Sequence, residues 1–136
     1  MAAAPHVDPE TGTGEQKHGV RKDLSRSMVH LFKEFYGKGP SHAKAYLNDD
    51  AILILLRGGY TQVEETLLRG GESDAVVQQR DAFQRVMRPK FEEMIFELTA
   101  RKVVAFISGN HQDPDVMSEL FILDSTDLFT DPPAAD

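Results

Sequence analysis

The chain has no cysteine and no tryptophan among its 136 residues. Without cysteine it can form no disulfide scaffold, offer no thiolate nucleophile and build no cysteine-ligated zinc site. That is compatible with a reducing compartment, and a cytoplasmic location is expected. Long apolar runs are missing too. The longest, Ala51–Leu56, has the length of a strand and falls far short of the ~20 residues that cross a bilayer. No direct membrane insertion is expected, so any membrane role is peripheral or through a partner. The opening MAAAPHVDPETG has neither a basic start nor an apolar core, and no signal peptide is expected there. Positive charge is scarce: 15 Lys and Arg against 22 Asp and Glu leave a net charge of −7. Sequence-independent nucleic-acid binding draws on a basic face, and none is supplied. The densest basic stretch, Lys17–Arg26, is broken by Gly19, Asp23 and Leu24 and reads as the solvated side of an amphipathic helix.

What is present suits one ordinary globular domain, with 40% hydrophobic and 27% charged residues. Residues 1–13 lack periodicity and are expected to form a disordered tail, as is the acidic, proline-containing stretch 125–136. Between them, residues 14–124 form the domain. Val20, Leu24, Met28, Leu31, Phe32 and Phe35 recur at helical spacing, which predicts a helix from about Glu15 to Tyr36, stopped by Gly37, Gly39 and Pro40. Ala43, Ala45 and Leu47 alternate with polar neighbours, Asn48-Asp49-Asp50 is turn chemistry, and Ala51–Leu56 reads as a strand buried on both faces. Thr61 and Glu64 fit a capping box that opens a short helix to about Arg69. Ser73 is the expected N-cap of a long helix to about Arg101. Pro89 inside it predicts a kink, or two helices meeting near Met87–Pro89. Lys102–Ser108 and Val116–Leu123 complete a second hairpin. The expected fold class is α+β, in the order α-β-β-α-α-β-β: a four-stranded, mainly antiparallel sheet of two hairpins with helices on one face.

The candidate site residues cluster in three places. The loop of the second hairpin holds Asn110, His111, Asp113 and Asp115. His111, Asp113 and Asp115 are ligand types for zinc, iron or manganese, and a histidine beside a carboxylate can also move protons. Their spacing matches no metal template, and Asp113-Pro114-Asp115 is equally a turn whose side chains bind nearby amides. Strand alternation places Glu119 opposite Leu120 and Ile122, toward solvent. Tyr36-Gly37-Lys38-Gly39-Pro40 offers glycine amides and the Lys38 ammonium to an anion, but it follows a helix instead of opening one, so it also reads as a helix stop. Arg57, at a strand end beside Gly58-Gly59, can clamp a carboxylate or small oxyanion, or pair with Asp49 or Asp50. No nucleophile elbow and no dinucleotide-binding glycine motif occurs. No cofactor is expected.

YGKGP (36–40), AKAYLNDDAILILLRGGYTQVEETLL (43–68) and RKVVAFISGNHQDPDVMSELFIL (101–123) resemble a bacterial family named after the MpsC subunit of a sodium-translocating, membrane-potential-generating system. The resemblance spans about residues 20–124. Thr99-Ala100-Arg101-Lys102 stands where the family pattern has T-G-R-K. With Ala100 in place of glycine, the long helix is expected to run closer to the following strand. The resemblance implies an accessory protein of a membrane ion or inorganic-carbon transport system, located in the cytoplasm or peripherally at the inner face of the membrane. It implies a protein partner and no catalytic mechanism. From the residues alone, two readings stand. One is a non-enzymatic interaction domain, expected as a homodimer, with the YGKGP turn and the NHQDPD loop as its partner-facing or ligand-facing surface. The other is a small-anion or metal-binding protein, or a weak enzyme, built on His111, Asp113 and Asp115 with Lys38 and Arg57.

Overall fold

The computed structural model describes residues 7–9 and 11–124. Of the two expected tails, residues 1–6, 10 and 125–136 lie outside the described part. The elements run α1 (Gly14–Phe35), β1 (His42–Asn48), β2 (Ala51–Arg57), α2 (Gln62–Arg69), α3 (Ser73–Thr99), β3 (Val103–His111) and β4 (Val116–Leu123). The strands form one antiparallel sheet in the order β1-β2-β4-β3, so two sequential hairpins meet through β2 and β4. The α+β class and the element order are those expected from the sequence.

Each element follows from local chemistry. Thr13 caps α1 by accepting from the Gln16 amide, and the Gln16 side chain returns the bond, a capping box. On α1, Val20, Leu24, Met28 and Phe32 make one buried stripe. They pack with Ile52, Ile54 and Leu56 of β2, Met117, Phe121 and Leu123 of β4, and Met87, Phe91, Met94 and Ile95 of α3. Phe32 and Phe91 lie with ring centroids 6.1 Å apart, and Phe91 meets Phe121 edge-on at 6.3 Å. Helices α1 and α3 thus cover one face of the sheet.

Several expectations need correction. In β2 only Ile52, Ile54 and Leu56 are buried. Ala51, Leu53 and Leu55 are half-buried on the face that carries no helix. In β4 the inward residues are Met117, Glu119, Phe121 and Leu123, so Glu119 is fully buried and does not face solvent. Apolar side chains occupy both alternations of β4, and alternation alone therefore could not choose its inner face. Register decides it, because Glu119 is paired with inward-facing Ile54. Of the two outcomes expected at Pro89, separate helices do not form: α3 is one continuous helix through Pro89, which sits on its exposed side. Its N-cap position is held by Glu72, with no side-chain bond, and Ser73 is already helical. At its other end Ala100 takes the left-handed conformation itself (φ 60°), so the tight turn survives without glycine. Finally, β3 extends to His111, which leaves only residues 112–115 for the turn.

Candidate functional site

The three sequence segments singled out above do not converge on a bound-ligand pocket. Two of them converge on a buried arginine. Gly39 and Pro40 pass so close to Gly58-Gly59 that a Cβ on Gly59 would lie 2.9 Å from Pro40 Cα, and one on Gly58 would lie 2.3 Å from Ser41 Oγ. Both glycines also adopt positive φ (71° and 101°), so no other residue fits there without strain. This close approach sets the YGKGP turn beside the start of α2.

The Thr61–Glu64 capping box forms as expected: Thr61 Oγ1 accepts from the Glu64 amide at 3.1 Å, and Glu64 Oε1 accepts from the Thr61 amide at 2.9 Å. The rest of the Glu64 carboxylate does more than cap. Its Oε2 accepts from the Tyr36 hydroxyl (2.5 Å) and from Arg80 Nε (2.7 Å), and its Oε1 also accepts from Arg80 Nη2 (3.1 Å). Arg80, on α3, donates its other hydrogens to Asp115, Nη1 to Oδ1 at 2.5 Å and Nη2 to Oδ2 at 3.4 Å. The Tyr60 ring stacks on the guanidinium at 4.6 Å, and Gln79 Nε2 donates to Tyr36 Oη at 3.0 Å. Arg80 and Glu64 are almost wholly buried, at 2% and 0% exposure. Two carboxylates and one guanidinium bonded this fully form a clamp between α2, α3 and the β3–β4 turn.

The electrostatics follow from that geometry. Burial alone would raise the Glu64 carboxyl, but the Arg80 and Tyr36 hydrogen bonds outweigh it and the net shift is downward. Burial would lower the Arg80 pKa, and its bonds to Glu64 and Asp115 reverse that, so it stays protonated. Burial, and then the Glu64 hydrogen bond, push the Tyr36 phenol up to about 12. Tyr60 is also raised, by burial first and then by the Asp115 charge. None of these groups is poised to exchange a proton near neutrality.

The other sequence candidates divide. Lys38 is exposed and donates Nζ to the Tyr60 carbonyl at 3.0 Å, beside the clamp. Asp113 is exposed at the turn, with positive φ (54°) and a cis peptide to Pro114. His111 is exposed, and its Nδ1 lies 2.8 Å from the Pro114 carbonyl oxygen. Arg57 is exposed on the open face of the sheet. It sits at the end of its hairpin opposite to Asp49 and Asp50 and does not pair with them. Asp115 is turned inward to Arg80, away from His111 and Asp113. Among the described residues no group of three His, Asp or Glu side chains is placed to hold a metal.

Asn110 belongs to a second polar cluster, under α3. Its Nδ2 donates to Asp81 Oδ1 (2.6 Å) and Gln84 Oε1 (2.7 Å), and Gln84 Nε2 donates to Glu119 Oε1. Burial pushes the Glu119 carboxyl up to about 8 against the opposing pull of Gln84 and Ser108. Ser108 lies directly across from Glu119 on β3. Glu119 Oε2 and Ser108 Oγ are both buried there. Sequence reasoning missed Arg80 and Gln84, and gave Glu64 only its capping role. The signal was available: Val76, Arg80, Gln84, Met87 and Phe91 recur at helical spacing, so the two polar residues occupy core positions of α3.

No curated protein and no solved structure matches the chain. A family model described as Na+-translocating membrane potential-generating system (MpsC) matches residues 16–125, which take in every described element but the first two residues of α1. The chain therefore belongs to the MpsC family.

Proposed function

We propose that this chain is a non-catalytic accessory domain of a membrane ion- or inorganic-carbon-translocating system. It works at the cytoplasmic side and docks on a membrane subunit through the end of the sheet built around Arg80. Family membership supports the transport context. The observation that carries the non-catalytic reading is the saturation of the clamp. Tyr36, Glu64, Arg80 and Asp115 direct their polar groups at one another, so they hold a shape and leave no activated nucleophile or base. Beside the clamp, exposed Lys38 bonds the Tyr60 carbonyl, and exposed His111 and Asp113 lie at the β3–β4 turn that Asp115 ties to Arg80, which supports reading them as one polar surface held in place. Preorganised surfaces of this kind bind without an ordering penalty. No helix among the described residues is long and apolar enough to cross a membrane, which suits docking over insertion.

The alternative, a metal or small-anion site using His111, Asp113 and Asp115 with Lys38 and Arg57, has less support. It requires Asp115 to leave Arg80, and Lys38 and Arg57 are not bonded to a common point.

The test is affinity purification of the chain from solubilised native membranes with site-specific crosslinkers at positions 38 and 113. A crosslink to a polytopic ion-transport subunit, abolished by Lys38→Glu and Asp113→Lys while the circular dichroism stays unchanged, is expected. Crosslinks confined to soluble proteins would overturn the reading.

A further inference from the structure

The helices cover one face of the sheet, and the strand register defines what the other face carries. Tyr46, Leu53, Leu120 and Ile107 are cross-strand neighbours and form an unbroken row from edge to edge. Tyr46 is 42% and Ile107 60% exposed, although both are large apolar or aromatic side chains. The two central strands, β2 and β4, carry apolar residues at both alternations, the pattern of a sheet covered on two sides, while edge strand β1 adds His42, Lys44 and Asn48 beside Tyr46 on the open face; α1 and α3 supply only one cover.

The ends of this open face differ. At one end His42, Arg57, Val116 and His111 form a row, so three nitrogen-bearing side chains flank a valine. At the other, the β1–β2 hairpin closes through Asp49 and Asp50. Neither Arg57 nor the carboxylates of Asp49 and Asp50 make an ion pair among the described residues.

We infer that the open face packs on the same face of a second copy, about a twofold axis in the interface plane and perpendicular to the strands. Such an axis reverses strand direction and keeps each hairpin over its counterpart. It lays the Tyr46–Leu53–Leu120–Ile107 row beside the equivalent row and brings Arg57 over the Asp49–Asp50 turn of the second copy. A twofold parallel to the strands would instead stack the two Arg57 and His111 rows on each other, which like charge disfavours. The face is therefore self-complementary, as an isologous contact demands. With strands ~4.8 Å apart, four strands of this length make a footprint of roughly 480 Å² per copy, which brings the pair near the ~1,000 Å² where specific interfaces begin. The sheets would lie ~10 Å apart, the spacing of a β-sandwich core. An interface at the low end of the specific range suits a reversible dimer.

This surface meets the Lys38–Asp113 surface only at His111, which neither test substitutes, so the two tests are separate. Sedimentation velocity on the full chain, from about 1 to about 200 µM, should show a monomer–dimer equilibrium with a dissociation constant on the order of 10 µM. Ile107→Lys, at an exposed edge-strand position, should weaken dimerisation at least ~10-fold without changing the circular dichroism. Arg57→Glu alone should weaken it, and Arg57→Glu with Asp50→Lys should recover most of the loss. A wild-type monomer at the highest concentration, a dimer indifferent to Ile107→Lys, or a double variant no better than Arg57→Glu overturns the inference. So does a monomer whose Ile107 face binds anionic lipid vesicles.

Discussion

Burial away from solvent favours the neutral form of a carboxyl group, and Glu119 is buried with no cation acting on it. It is fully buried, the groups that favour its charge, Gln84 and Ser108, are neutral, and burial pushes its pKa up to about 8. The unfolded chain releases that proton near the ordinary glutamate value of ~4.3. Below that value both states are protonated and the stability Glu119 contributes is fully present. As the pH climbs toward about 8, the unfolded state alone is ionised and the contribution drains away; above it the loss levels off. Glu119→Gln mimics the protonated form, and its amide can still face Gln84 and Ser108. The variant should match the parent at pH 5 and melt higher at pH 9. A widening of at least ~4 °C is expected, about what 1 kcal/mol does in a domain of this size. Parallel melting curves for the two proteins across that range would refute the assignment.

At the scale of elements, the junction of α3 with β3 can be tested directly. Ala100 adopts φ 60°, a conformation that costs an L-residue ~1–2 kcal/mol, while glycine adopts it freely at the expense of a more disordered unfolded chain. Ala100→Gly should therefore stabilise the protein by about 0.5–1 kcal/mol in urea unfolding, with an unchanged m-value. An equal or lower midpoint would show that the turn is held by other contacts. The position also shows what the sequence could and could not reveal. The order of elements was legible because periodicity, capping boxes and glycine punctuation are local signals. Ala100 carries no such signal, since the helix end is imposed by the return of the chain to the sheet. Glu119 misled for a related reason: β4 is apolar on both alternations, and only its pairing with β2 selects the inner face. Glu64 was legible as a cap because Thr61 lies three residues away. Its bond to Arg80, sixteen residues on, depends on how α2 folds against α3. The candidate loop was visible as a turn, but the arginine that holds it was not.

The whole molecule divides into two parts of unequal robustness. The sheet, α1 and α3 share one apolar core, whereas α2 packs chiefly on α3, and its buried member is Glu64, a charged group. The cohesion of α2 and the 112–115 turn with the rest therefore runs through Arg80. Removing one member of a buried ion cluster leaves the others uncompensated, at a cost of ~3–5 kcal/mol. Arg80→Met leaves Glu64 and Asp115 without their cation. In native-state hydrogen exchange, amides of α2 and the turn should lose protection by about that amount, while the central strands β2 and β4 lose distinctly less. Acid should act on the same part. The Glu64 pKa is lowered in the folded state, so its contribution is present above the unfolded value and is lost as pH falls through the folded one. Glu119 runs the other way, giving up stability as pH rises. Acid thus loosens the Arg80 end first and alkali weakens the middle of the sheet. An Arg80→Met protein whose protection falls evenly across all elements, with no preference for α2 and the turn, would contradict this division.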